Sequence, residues 1–165
     1  MHDKTENAMS VLMRERFLEE LRTVNETSAR YGLRLSENGM RALAQARNRA
    51  LIDNGRVELG ISAVRAIADG FCDSPYLLQE DYENTLLELV DAFYYFKNAC
   101  ADQLTDDELI YAMRLRFDAF SGSVDAVIGT TLEAYCRAKR LGEVYDEGAE
   151  DHKDEEDEDD RLNDE

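Results

Sequence analysis

The sequence predicts an all-α protein: a single compact bundle of about six helices followed by a disordered acidic C-terminal tail. Three observations carry that expectation. An apolar period of 3.6 residues recurs six times between residues 8 and 142. Proline occurs once, and the glycines fall at the ends of periodic runs more than within loops. The one stretch with strand character, "RVELG" at 56–60, is too short to make a sheet.

The first helix is expected from about Ala8 to Tyr31, with Met9, Met13, Phe17, Val24 and Tyr31 on one face and Gly32 as a left-handed C-cap. Residues 1–8 are read as a frayed end ahead of a helical domain over 9–142. Ser36 in "LSENG" is placed to cap a second helix lined by Met40, Leu43, Ala44 and Leu51, and "DNG" at 53–55 stops it. A third helix turns Ile61, Val64, Ala68, Phe71 and Cys72 inward. The Ser-Pro step in "DSPY", 73–76, makes a turn, because the residue before a proline is pushed out of the helical region.

A long fourth helix spans about 79–101. "TDDE" at 105–108 is a capping box, Thr105 with Glu108, whose acids suit the positive end of a fifth helix. Leu109, Met113, Phe117 and Phe120 line that helix, and "SGS" at 121–123 ends it. Val124, Val127, Ile128, Thr131 and Tyr135 line a sixth that closes at Gly142. Short connections imply mostly antiparallel neighbours.

Charge divides the chain. Residues 143–165 hold fourteen acids against Lys153 and Arg161, a net of −12 out of the formal −18, so the remainder carries −6. That is ordinary for a small soluble domain. The tail has too little apolar content to offset its ordering entropy, hence the expectation of disorder. Its roles would be solubility or mimicry of nucleic acid towards a basic partner. No apolar run reaches the ~18–20 residues that span a bilayer, and the N-terminus lacks the apolar core of a leader. Cys72, Cys100 and Cys136 are widely spaced, without a C-x-x-C pair, and read as small buried hydrophobes of a cytoplasmic protein.

The fourth helix poses a question at "DAFYYFKNAC", 91–100. At 100° per residue, Leu86, Leu89, Val90, Phe93, Tyr94, Phe96 and Cys100 form one apolar arc, and Tyr95 points away from it. Lys97 sits inside the arc. The second helix repeats the oddity, with Arg47 on its apolar seam and Arg49 off it. An unpaired buried charge is too costly to persist, so both cations need anionic partners. Glu58, flanked by Val57 and Leu59 in the link, is the first candidate; Asp73, Glu83 and Glu20 are the others.

Most catalytic chemistries find no residues here. The two histidines, His2 and His152, lie near the chain ends, which disfavours histidine-based triads and histidine metal ligation, and no phosphate-binding glycine motif or EF-hand loop is present. "EDYENTLLELVD", 80–91, resembles the paired-acid helices that hold magnesium in all-helical nucleotide pyrophosphohydrolases. Those need two acidic motifs on facing helices, whereas Glu80, Glu83, Glu88 and Asp91 share one. No cofactor or metal is therefore expected, and the mildly acidic core with dispersed arginines disfavours nucleic acid.

Several stretches read in order, "GLRLSENG", "GRVELG", "FCDSPYLLQEDYENTL", "FYYFKN", "LTDDELIYAM", "FDAFSGSVDAV" and "TTLE", resemble an uncharacterised family of bacterial cytoplasmic proteins, a domain of unknown function, over about residues 32–134. The resemblance implies a single helical domain and brings no activity, cofactor or catalytic residue with it.

Two functional expectations follow. One is a non-enzymatic interaction or adaptor module with a protein partner, contacted through Asp73, Ser74 and Tyr76 of the turn together with Tyr95. The other is a protein or enzyme that binds a small anion in an inner polar pocket around Arg47, Glu58 and Lys97. Neither involves nucleic acid or a membrane.

Overall fold

The computed structural model describes residues 2–145. The chain forms α1 (His2–Ser28), a 3₁₀ turn (Ala29–Tyr31), α2 (Glu37–Asp53), α3 (Ala63–Phe71), α4 (Tyr82–Ala99), α5 (Asp106–Ala119), the single turn α6 (Val124–Val127) and α7 (Thr130–Leu141). Among the described residues there is no strand, and "RVELG" is an extended link. The tail expected to be disordered lies outside the described residues from 146 onward, as does the side chain of Met9.

The starts of α2, α3 and α5 follow from hydroxyl side chains that accept orphan backbone N–H groups. Ser36 accepts from Gly39 at 3.0 Å, Ser62 from Arg65 at 3.2 Å and Thr105 from Glu108 at 3.2 Å. At Thr105 the box closes locally, as expected, with the Thr105 N–H donating to Glu108 Oε2 at 2.8 Å. At the other two starts the carboxylate comes from a different helix. Ser36 donates its N–H and Oγ–H to Glu83 Oε1 of α4, at 2.7 and 2.6 Å. Ser62 donates its N–H and Oγ–H to Glu20 Oε1 of α1, at 2.9 and 3.2 Å. Both carboxylates thereby sit at the positive end of a helix dipole. Gly39 is a condition of the first arrangement, since a Cβ there would lie 2.2 Å from Glu83 Oε1.

The core is built around α4. Its predicted arc, Leu86 through Cys100, is buried, and Tyr95 is exposed. Leu43, Val64, Ile67 and Met113 are buried on α2, α3 and α5, which pack on it, and Leu21 of α1 is buried where α1 packs on α2 and α3. Phe71 and Phe117 meet edge to face at 5.3 Å between centroids, fixing α3 against α5.

The helix order departs from an antiparallel array. α2 and α4 run parallel, joined at their starts by Ser36 and Glu83 and at their ends by Asn98 Nδ2 donating to Asn54 Oδ1 at 2.8 Å. α3 and its turn carry the chain back before α4 begins. α1 and α2 do run antiparallel: the Asn25 side chain pairs with the Leu35 backbone at one end, and Arg47 covers Phe17 further along.

Several expected inward residues face solvent, each for a local reason. Residues 11–16 are exposed, so Met13 is not core; the buried face of α1 is Phe17, Leu18, Leu21 and Val24. Tyr31 has left the α-helical phase for the 3₁₀ turn. Ile61 precedes the Ser62 cap and belongs to no helix. Phe120 is the residue after α5, where the backbone has turned out of helical geometry. The expected sixth helix breaks at Ile128 and Gly129, which exposes Ile128 and Thr131 and puts Leu132, Cys136 and Ala138 inside instead. α4 starts at Tyr82 rather than 79 because the Gln79 amide pairs with the Arg34 backbone, accepting at 2.7 Å and donating at 3.0 Å.

Candidate functional site

In an extended link, successive side chains alternate sides. Here Val57 and Leu59 are 86% and 85% exposed, while the Glu58 side chain between them is 14% exposed. Glu58 enters the bundle where the seam of α2 presents Arg47. Arg47 Nε donates to Glu58 Oε1 at 2.9 Å, and the Tyr94 hydroxyl of α4 donates to Glu58 Oε2 at 2.6 Å. Burial, reinforced by the Glu58 carboxylate, pushes the Tyr94 phenol far above its ordinary pKa and keeps that donor protonated. The guanidinium stacks over Phe17, 4.8 Å from the ring centroid. Arg47 and Glu58 line a cleft of about 510 Å³ walled by Met13, Phe17, Leu51, Ile52 and Val57.

Lys97 lies elsewhere. Its Nζ donates to the Leu104 carbonyl at 2.6 Å and pairs with Asp106 Oδ1 at 2.7 Å, tying the end of α4 to the start of α5. It does not line the Arg47 cleft, so the two cations occupy separate clusters and not the one pocket expected. None of the other carboxylates proposed as partners reaches Lys97: Glu20 and Glu83 hold serine caps, and Asp73 pairs with Arg114 at 2.6 Å.

The turn at 73–76 is tied inward. Arg114 of α5 donates to Asp73, to Asp118 at 2.7 Å and to the Gly70 carbonyl at 2.8 Å, and it holds the Asp73 carboxyl below the usual range. Ser74 is buried and donates to Asp118 Oδ1 at 2.7 Å, so it offers no contact surface. Tyr76 and Tyr95 are exposed but lie against different elements. Tyr76 sits beside Gly122, and Tyr95 lines a cleft with Asn54, Asn98 and Arg137. The four expected interface residues do not form one patch.

Two features escaped the sequence. Arg56 donates to Asn98 Oδ1 at 2.7 Å and to both oxygens of Asp102, depressing that carboxyl, in a turn where Ala101 and Asp102 have φ of 51° and 58°. A groove of about 950 Å³ also runs between α3 and α5. Ile61, Tyr111 and Leu115 line it and are exposed. Gly70 permits this close approach, since a Cβ there would lie 2.8 Å from Ile110 Cγ2. The lining holds five aspartates against Arg65 and Arg114. Burial raises the pKa of one of them, Asp69, whose cation Arg65 stands 3.9 Å away.

A family model described as a family of unknown function, DUF6323, matches residues 20–145. The chain belongs to this family. The DUF6323 span is wider than the 32–134 stretch that carried the sequence resemblance, and it includes Glu20, Arg47, Glu58, Tyr94 and Lys97. Met13 and Phe17, which wall one side of the Arg47 cleft, lie ahead of it. No curated protein and no solved structure matches the chain. Among the described residues no helix is long and apolar enough to cross a membrane.

Proposed function

We propose that this chain is a non-enzymatic interaction module that receives a basic amphipathic helix of a protein partner in the groove between α3 and α5. The observation that carries the reading is the groove's lining, where exposed Ile61, Tyr111 and Leu115 stand among an excess of aspartates. Apolar side chains of this size left in water favour a partner surface, and a helix laid in a groove between two helices is a recurrent solution. The rim sets the partner's charge. A lysine or arginine beside Asp69 would favour the charged carboxylate that burial disfavours. Asp73, at one end of the groove, is the one member of the expected interface that this surface retains.

Capture from the native host tests the proposal, using the unaltered chain, the groove variants Tyr111→Glu and Leu115→Glu, and Tyr95→Glu on another face. All three positions are exposed, so the fold tolerates the change. A partner should be retained by the unaltered chain and by Tyr95→Glu, be lost from both groove variants, and elute as salt rises. Retention by the groove variants with loss from Tyr95→Glu would place the interface elsewhere.

A further inference from the structure

We infer that the cleft between α1, α2 and the 56–60 link binds a small apolar monocarboxylate, with Arg47 as its anion anchor. This site lies apart from the α3–α5 groove and does not depend on the interaction reading.

The first argument is the inverted link. A stretch with two apolar residues around one acid should bury the former and solvate the latter. Here the acid is inside and both hydrophobes are outside. What the inversion achieves is a fixed guanidinium. Tyr94 orients Glu58, Glu58 takes the Nε edge of Arg47, and Phe17 backs the plane.

The second argument is what remains free. Both oxygens of Glu58 are engaged, and Glu58 is the single carboxylate in the cleft lining. Among the described residues, neither Nη of Arg47 has a hydrogen-bond partner, and Arg14 at the rim has no ion pair. The charge of Arg47 is met by Glu58, so what stands open beside the cleft is its two Nη donors, with the exposed cation of Arg14 at the rim. A planar guanidinium edge matches the two oxygens of a carboxylate.

The third argument is shape. About 510 Å³ lies in the range of small-molecule sites, and the walls beyond Arg47 are Met13, Phe17, Leu51 and Ile52. They suit an apolar body with its one charge at Arg47, because Arg56 is taken by Asp102 and Arg14 is exposed to solvent.

Calorimetry with hexanoate, octanoate and decanoate, and with octanol as the uncharged match for octanoate, tests the site. One saturable site should appear, with octanol at least about tenfold weaker than octanoate, the factor that ~1.4 kcal/mol of charge recognition provides. Ile52→Glu places an acid at the mouth from a position that is 79% exposed, so it should abolish carboxylate binding while helicity and melting stay unchanged. Arg47→Lys should weaken binding at least about tenfold by losing the fork. Lys97→Met and Leu115→Glu should bind as the unaltered chain does, which separates this result from the fate of the groove. The inference is overturned if no chain length gives saturable heat, if octanol equals octanoate, or if Ile52→Glu binds normally.

Discussion

Among the described residues three cations turn into this bundle, Arg47, Lys97 and Arg116, and the first two differ in what stands opposite them. The Arg47 side chain is 15% exposed and its counterion Glu58 is 14% exposed. The Lys97 side chain is 10% exposed, but its counterion Asp106 is 50% exposed. When one member of an ion pair is removed, the cost is set by the charge left behind. Without Arg47, a carboxylate remains where water reaches poorly. Without Lys97, Asp106 keeps its hydration and its place in the first turn of α5. Exposure of the partner, more than burial of the cation, separates a demanding site from a tolerant one.

The largest expected effect tests that contrast directly. Arg47→Met should lower the free energy of unfolding by about 3–5 kcal/mol, read from urea melts at neutral pH. Replacing both members, Arg47→Met with Glu58→Met, should recover most of that loss, because no charge is then stranded. A single variant as stable as the unaltered chain would dissolve the contrast.

Tyr94→Phe comes next. It leaves Glu58 Oε2 without its donor and should cost about 1–3 kcal/mol. It also has a signature in pH. The phenol's pKa is raised in the folded state, so its contribution is complete below the unfolded value of ~10 and declines as pH rises past it. Stability of the unaltered chain should therefore fall more steeply above pH ~10 than that of Tyr94→Phe. Equal slopes would mean that the hydroxyl is solvated.

Lys97→Met should have the smallest effect, about 1 kcal/mol. The Leu104 carbonyl loses a donor, and a methionine suits the apolar arc that the lysine stem already occupies. A loss as large as that for Arg47→Met would show that the partner's exposure is not what ranks the two sites.

The inward direction of both cations was legible because helical phase is a strong regularity within one long element. So was the Arg47–Glu58 pairing, since an extended link can send one residue inward without regard to helical period. Asp106 was not legible as a partner: its place in a capping box already accounted for it, and only the fold brings the start of α5 under Lys97. Phase reading failed where helices end, at Tyr31, Ile61, Phe120 and Ile128, since one residue outside helical geometry resets the face, and within α1 at Met13, where residues 11–16 are exposed on every side. The parallel course of α2 and α4, the α3–α5 groove and the apolar walls around Arg47 depend on contacts between elements far apart in the chain. No local pattern encodes those.

The two serine starts served by distant glutamates bear on how the protein can assemble. Because α2 needs a group from α4, and α3 needs one from α1, neither nucleates to full advantage as an isolated peptide, and order should propagate through the bundle in an all-or-none manner. Trimming the chain from its beginning should accordingly cost little up to residue 16 and become abrupt once Phe17, Leu18 and then Glu20 are removed.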